Sequence, residues 1–152
     1  MNITAPVSVE RTIAAPATAV FAVLADPSRH REIDGSGTVR AASEGSRQVE
    51  LGDVFGMNMR LGVGYRMANE VVELERGRRI AWQARPALPA LRKLIGGRIW
   101  RYELEPVDGG TRVQETWDIS QEVLPLLVAP LRGLTRIGIT RSLERLEQVV
   151  TR

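Results

Sequence analysis

The sequence contains no cysteine. That excludes disulfides, zinc–thiolate sites, iron–sulfur clusters and cysteine nucleophiles. It has one histidine, His30, so any imidazole chemistry must use that residue. No Gly-x-Ser-x-Gly elbow accompanies it to suggest a Ser-His-Asp triad. Lysine is nearly missing: Lys93 is the only one, and arginine supplies the other basic charges. Long apolar runs are missing too. The longest lies near Leu124–Leu131, is broken by Pro125 and Pro130, and is too short to span a bilayer. Met1–Val7 has neither the basic start nor the apolar stretch of a signal peptide. These absences predict a cytoplasmic protein with no integral membrane segment.

A chain of 152 residues suits one domain, here 1–152, and is long enough to bury a core. The net charge is +3, but the arginines are scattered and most have Glu or Asp nearby. That pattern describes a solvated mixed surface and not a nucleic-acid stripe. Gly62-Val63-Gly64 lacks the remaining glycine and the helix of a dinucleotide fingerprint, so it is a hairpin turn and no cofactor is expected. Asp26, Glu32 and Asp34 lie near His30, but turn and cap roles explain both aspartates, and no metal is expected.

Val7, Val9, Arg11 and Ile13 alternate with Ser8, Glu10 and Thr12, a strand with one buried face. Pro16 opens a helix carrying Val20, Phe21 and Leu24. Asp26-Pro27-Ser28 ends it and starts a second short helix that closes near Ile33. Six further strands follow, over Thr38–Ala42, Val54–Leu61, Tyr65–Leu74, Arg79–Arg85, Arg98–Pro106 and Thr111–Ile119. Their clean alternation predicts an antiparallel sheet with one wet face. The last thirty residues change period. Leu131, Thr135, Ile139, Leu143, Leu146 and Val150 form one stripe of a long helix. Gly138 and Ser142 lie beside that stripe, where they let the helix come close to the sheet.

Several segments, in this order, resemble the START/Bet v1-like helix-grip (SRPBCC) superfamily, and more closely its bacterial polyketide cyclase/dehydrase-like group. They are Val9-Glu10-Arg11-Thr12-Ile13-Ala14-Ala15-Pro16, Gly52-Asp53-Val54-Phe55, Arg79-Ile80-Ala81-Trp82, Trp100-Arg101-Tyr102-Glu103-Leu104, Gly110-Thr111-Arg112-Val113 and Leu143-Glu144-Arg145-Leu146. The resemblance implies an α+β helix-grip fold. Its seven-stranded curved antiparallel sheet wraps round the long C-terminal helix, with two short helices after strand 1. It also implies a cavity between sheet and helix for a small hydrophobic molecule such as a lipid, sterol or polyketide. The alternative is a polyketide cyclase/dehydrase-type enzyme acting on a carbonyl substrate in the same cavity. The resemblance assigns no catalytic residue.

Residue by residue, the inward parities give the candidate lining. Phe55, Met57, Met59, Met67, Trp82 and Trp100 supply apolar surface, and Leu131 and Thr135 face them from the helix. Methionine suits adaptable pockets. Tyr65, Asn69 and Tyr102 place polar groups on the same face. Each either meets a ligand oxygen or bonds to backbone and water. Arg11 and Glu115 both fall on inward parities of strands that neighbour each other in this fold. If both are interior they pair, because a lone buried charge costs several kcal/mol. Such a pair either orients a ligand carbonyl, with Glu115 as acid/base, or is purely structural. Tyr65, Tyr102, Arg11 and Glu115 are thus the candidate catalytic groups. His30 reads as exposed, among Ser28, Arg29 and Arg31. The 86–97 connection is long for a hairpin and carries Leu88, Leu91, Leu94 and Ile95. It is a lid, a homodimer contact, a membrane-touching flap or a loop packed on its own domain.

Overall fold

A computed structural model describes residues 2–42 and 45–152. Strand β1 (Val7–Ile13) is followed by helix α1 (Ala17–Leu24), a single turn at Pro27–Arg29 and helix α2 (His30–Ile33). Then come β2 (Val39–Ala42), β3 (Val54–Leu61), β4 (Val63–Glu75), β5 (Arg79–Pro86), β6 (Ile99–Val107) and β7 (Gly110–Asp118). Helices α3 (Pro125–Val128) and α4 (Arg132–Val150) end the chain. The expected strand and helix order is therefore present, with the short α3 added where two prolines had broken the apolar run.

All neighbours are antiparallel, and the seven strands lie in the order β1-β7-β6-β5-β4-β3-β2. Consecutive strands from β2 to β7 are hairpin neighbours. β1 alone crosses over, to pair with β7. The alternation holds along β7, where Thr111, Val113, Glu115 and Trp117 are all buried on one face. A register shift between Val71 and Glu73 resets the parity of β4, so Val71 and Leu74 both serve the core. The inner face of the sheet is covered by α1, α2 and α4. Val20, Phe21 and Leu24 of α1 and Ile139, Leu143 and Leu146 of α4 are buried there.

Helix α4 runs beside β1 in the same direction. The Arg132 guanidinium donates to the Ala5 carbonyl, and that of Arg136 to the Ser8 carbonyl at 3.3 Å. Near the far end, Arg11 Nη2 donates to Glu147 Oε1 at 2.9 Å. This pair corrects the expectation that Arg11 faces Glu115. Arg11 stands opposite Val113, whereas Glu115 stands opposite Val9. β1 is an edge strand, so a long arginine can leave the sheet sideways and meet the helix. The side chains of Arg11 and Glu147 are 39% and 31% exposed, so water screens much of their attraction. Arg11→Ala should therefore cost about 0.5 kcal/mol in urea unfolding, less at high salt. A loss of about 3 kcal/mol or more would instead mark a buried partner.

Because strands alternate in direction, the connections fall at two ends. One end, called the lower end here, collects the start of β1, the 34–38 connection into β2, the β3–β4 turn, the 86–98 connection and residues 119–131. Gly62 makes the β3–β4 turn with φ of 75°, which a residue with a side chain adopts only with strain. Among the described residues, no helix is long and apolar enough to cross a membrane.

Candidate functional site

The inner face has a floor of packed rings. The His30 imidazole stacks on Trp82 with centroids 4.8 Å apart and planes 20° from parallel. Phe55 meets both rings edge-on, at 5.6 Å from His30 and 5.7 Å from Trp82. Tyr102 lies 5.7 Å from Trp82 on its other side. His30 is thus buried, which corrects its reading as an exposed residue. Its Nε2 lies 2.8 Å from the Leu24 carbonyl, to which it donates as the neutral ring. Burial pushes its pKa down, against the smaller upward pull of that carbonyl, and so keeps the ring uncharged. The aspartates beside it have the structural roles expected. Asp26 Oδ1 accepts from Ser28 N at 3.0 Å, and Asp34 Oδ2 accepts from Val39 N at 2.8 Å. Among the described residues no three acidic or histidine side chains gather as a metal site would require.

Glu115 is 2% exposed and lies beside Tyr102, its partner across the β6–β7 ladder. Burial in this apolar setting raises its pKa to about 8. The Tyr102 phenol partly offsets the rise, and the Asp34 carboxylate adds to it. At neutral pH the carboxyl is therefore mostly protonated and can donate a hydrogen bond. Tyr102 is itself pushed well above its ordinary value, first by burial and then by Glu115, and stays neutral. Two buried polar atoms on the same face of β7 have no hydrogen-bond partner: Glu115 Oε2 and Trp117 Nε1. Arg11 Nε is also without one, although Glu147 holds the rest of its guanidinium.

The candidate lining divides along the strands. Phe55, Met57, Asn69, Trp82, Tyr102 and Glu115 are buried. Met59, Met67, Trp100 and Thr135 are half-buried, and Tyr65 and Leu131 are exposed at 39% and 44%. On β3 exposure grows from Phe55 to Met59, and on β4 from Val71 to Tyr65. Both trends run toward the lower end. The inner face is therefore closed above by the aromatic floor and open below. Leu131 does not complete the stripe of α4, because the buried part of that helix begins only at Ile139.

Two surface clefts lie away from this face. One, of about 260 Å³, sits among Glu10, Arg79, Glu103, Glu105 and Arg112 on the outer face of the sheet. Four of its charges are paired, Arg112 with Glu105 at 3.0 Å and Arg79 with Glu103 at 3.5 Å. The other, of about 390 Å³, is a shallow groove along Arg136, Ile137, Thr140, Arg141 and Glu144 of α4. Neither is the internal cavity expected between sheet and helix.

Sequence reasoning missed three contributors. Trp117 falls by parity on the apolar inner face, but its unpartnered indole N–H has no sequence signal. Asp34 was read as a turn residue, yet its charge reaches Glu115. Glu122 is buried and accepts from Gly96 N at 2.9 Å, Arg98 N at 2.8 Å and Arg98 Nε at 3.0 Å. It ties the 86–98 connection to the segment after β7.

The fold is shared with solved proteins. The crystal structure of protein CV1439 from Chromobacterium violaceum superposes with a TM-score of 0.74, covering 95% of this chain and 96% of that one at 18% identity. Protein NE0264 from Nitrosomonas europaea gives 0.72, with 99% and 97% covered at 17% identity. Among curated sequences, the Mycobacterium tuberculosis protein Rv0088 is 39% identical over 108 residues, which is 70% of this chain and 44% of the relative. The chain thus matches less than half the length of that relative. The family described as polyketide cyclase/dehydrase and lipid transport matches residues 4–151, and the chain belongs to that family.

Proposed function

We propose that this protein, acting as a single cytoplasmic domain, binds a small apolar molecule that carries an oxygen function. The molecule's body lies along the inner face, and its oxygen meets Glu115. The observation that carries this reading is the pair of unpartnered buried atoms, Glu115 Oε2 and Trp117 Nε1. Leaving such a group unsatisfied costs about 1–3 kcal/mol. A protonated carboxyl and an indole N–H are both donors, so one accepting ligand oxygen near them relieves the cost. The open lower end supplies the way in, past Tyr65 and Met67. The half-buried methionines Met59 and Met67 adapt to ligands of differing shape.

A second reading has one observation in its favour. A carboxyl with a pKa near 8 beside a phenol can protonate a carbonyl or a leaving hydroxyl, as cyclisation and dehydration require. Under this reading Glu115 is the acid, Tyr102 orients it, and Tyr65 waits at the mouth.

Native mass spectrometry of the protein purified from its own host tests the binding reading. A co-purifying small molecule is expected in the wild type, with much lower occupancy in Glu115→Leu. Repeated absence of any adduct from folded wild-type protein would sink it.

A further inference from the structure

The large apolar side chains that stand exposed are not spread over the surface. Among the described residues, all but two of them, Leu51 and Val54, belong to the lower end or to the first half of α4 that rises from it. Leu88 and Leu94 on the 86–98 connection are 60% and 57% exposed. Leu126 and Leu127 on α3 are 67% and 60% exposed. Val63, at the tip of the β3–β4 hairpin, is 73% exposed. The loop packs on its own domain through Ile95 but leaves Leu88, Leu91 and Leu94 exposed.

These tips are braced together. Ala87 N donates to the Arg66 carbonyl at 3.0 Å, and Val123 N to the Gly96 carbonyl at 3.0 Å. The Glu122 carboxylate joins the same two segments. The apolar tips therefore form one preformed surface. Contiguous exposed apolar surface of this kind marks an interaction site.

Basic charge predominates around it. Segments 55–69, 84–100 and 119–141 contain nine arginines and lysines and one acid, Glu122, which Arg98 neutralises. The other acids at this end are Asp118, 3.7 Å from Arg101, and Asp34, which accepts from the Val39 and Ser36 backbone. Arg92 and Lys93 sit between Leu91 and Leu94, with Lys93 exposed. Elsewhere the arginines alternate with acids, as on the outer face of the sheet. Leucines at the tip and basic side chains set just behind them are the arrangement that an anionic lipid surface recognises. The leucines enter the acyl boundary while the long basic side chains reach the headgroups.

We infer that the lower end is a docking surface for an anionic lipid bilayer, with Leu88, Leu94, Leu126 and Leu127 inserting and Arg92 and Lys93 held at the headgroups. The inner face opens at this same end, so docking would set its mouth on the membrane. The inference stands on exposure and charge and does not depend on any ligand at Glu115.

The test is co-sedimentation of the full chain with vesicles of phosphatidylcholine, with and without phosphatidylglycerol, at low and high salt. Binding to the phosphatidylglycerol vesicles is expected, weakened by salt. Leu126→Ser combined with Leu127→Ser should weaken it about a hundredfold. Arg92→Glu combined with Lys93→Glu should weaken it about tenfold or more. Leu51→Ser, at the other end, should leave it unchanged. These residues are exposed, and Arg92 gives up only its 2.8 Å hydrogen bond to the Pro86 carbonyl, so each variant should melt close to the wild type. Failure to bind phosphatidylglycerol vesicles, or equal binding without phosphatidylglycerol, would overturn the inference. So would binding indifferent to the leucine pair. A solution dimer that the leucine pair dissolves, with no vesicle binding, would assign the face to a second copy of the chain.

Discussion

Glu115→Gln is expected to make the protein more stable at pH 8 by roughly 3–5 kcal/mol, and to leave it unchanged near pH 4.5. The folded carboxyl titrates at about 8, against 4.5 for a free glutamate. Between these values the native state holds a proton that the unfolded chain gives up. Raising the pH therefore favours unfolding. The contribution of Glu115 is fully present below about pH 4.5 and is lost as the pH rises toward 8. Glutamine has the shape of the protonated acid and no charge to lose, so its stability lacks that slope. His30 works in the opposite sense. Its folded pKa is depressed below 6.5, so its contribution is present above that value and is lost as the pH falls. Both proteins carry His30, and the difference between them cancels it. Urea unfolding of the two proteins across this range measures the effect. Parallel stability profiles would mean that the carboxyl is ionised or solvated in the native state. The binding reading would then lose its donor.

The sheet was legible because burial on one face writes itself into alternate residues. Phe55, Met57 and Met59 on β3, and Val113, Glu115 and Trp117 on β7, declare their faces by spacing alone. Spacing does not say where a long side chain ends. Arg11 shares the inward parity of Val9 and Ile13, yet it sits on an edge strand and reaches Glu147 on α4. The stripe of α4 was legible as a direction. Where that stripe leaves the sheet was not, because that depends on how far the neighbouring segments extend, and Leu131 is exposed in consequence. His30 was unreadable for another reason. A helix of four residues has too little period to show which side faces in. The candidate site inherits this pattern. Sequence named Glu115 and Tyr102, while their distance from Arg11 and the unpartnered indole of Trp117 needed the fold.

Gly35→Ala is expected to destabilise the protein by about 3 kcal/mol or more, although nothing in the sequence marks this glycine off from a turn residue. Gly35 is buried just after α2, where that helix meets α4. Its N–H donates to Ser142 Oγ at 2.8 Å. A methyl group added here would overlap the Gly138 carbonyl oxygen, and would lie 2.5 Å from Ser142 N and 2.7 Å from Arg141 Cβ. These are backbone atoms and a Cβ, so no rotamer change removes the clash. Either α4 shifts off α2 or the hydrogen bond to Ser142 breaks. α4 is fixed along β1 by Arg132, Arg136 and Glu147, so a shift would loosen those contacts as well. The sequence had instead suggested that Gly138 and Ser142 let α4 approach the sheet. The close approach is to Gly35, and it is not Gly138 that needs to be small. A Cβ on Gly138 would meet Ser36 at 4.0 Å, an ordinary contact. Gly138→Ala should therefore be neutral or should stabilise α4 by up to about 1 kcal/mol, since glycine is a poor residue inside a helix. Thermal and urea unfolding of the two variants would separate them in sign. Equal effects, or a Gly35→Ala protein as stable as the wild type, would mean that α2 and α4 are not in the contact described.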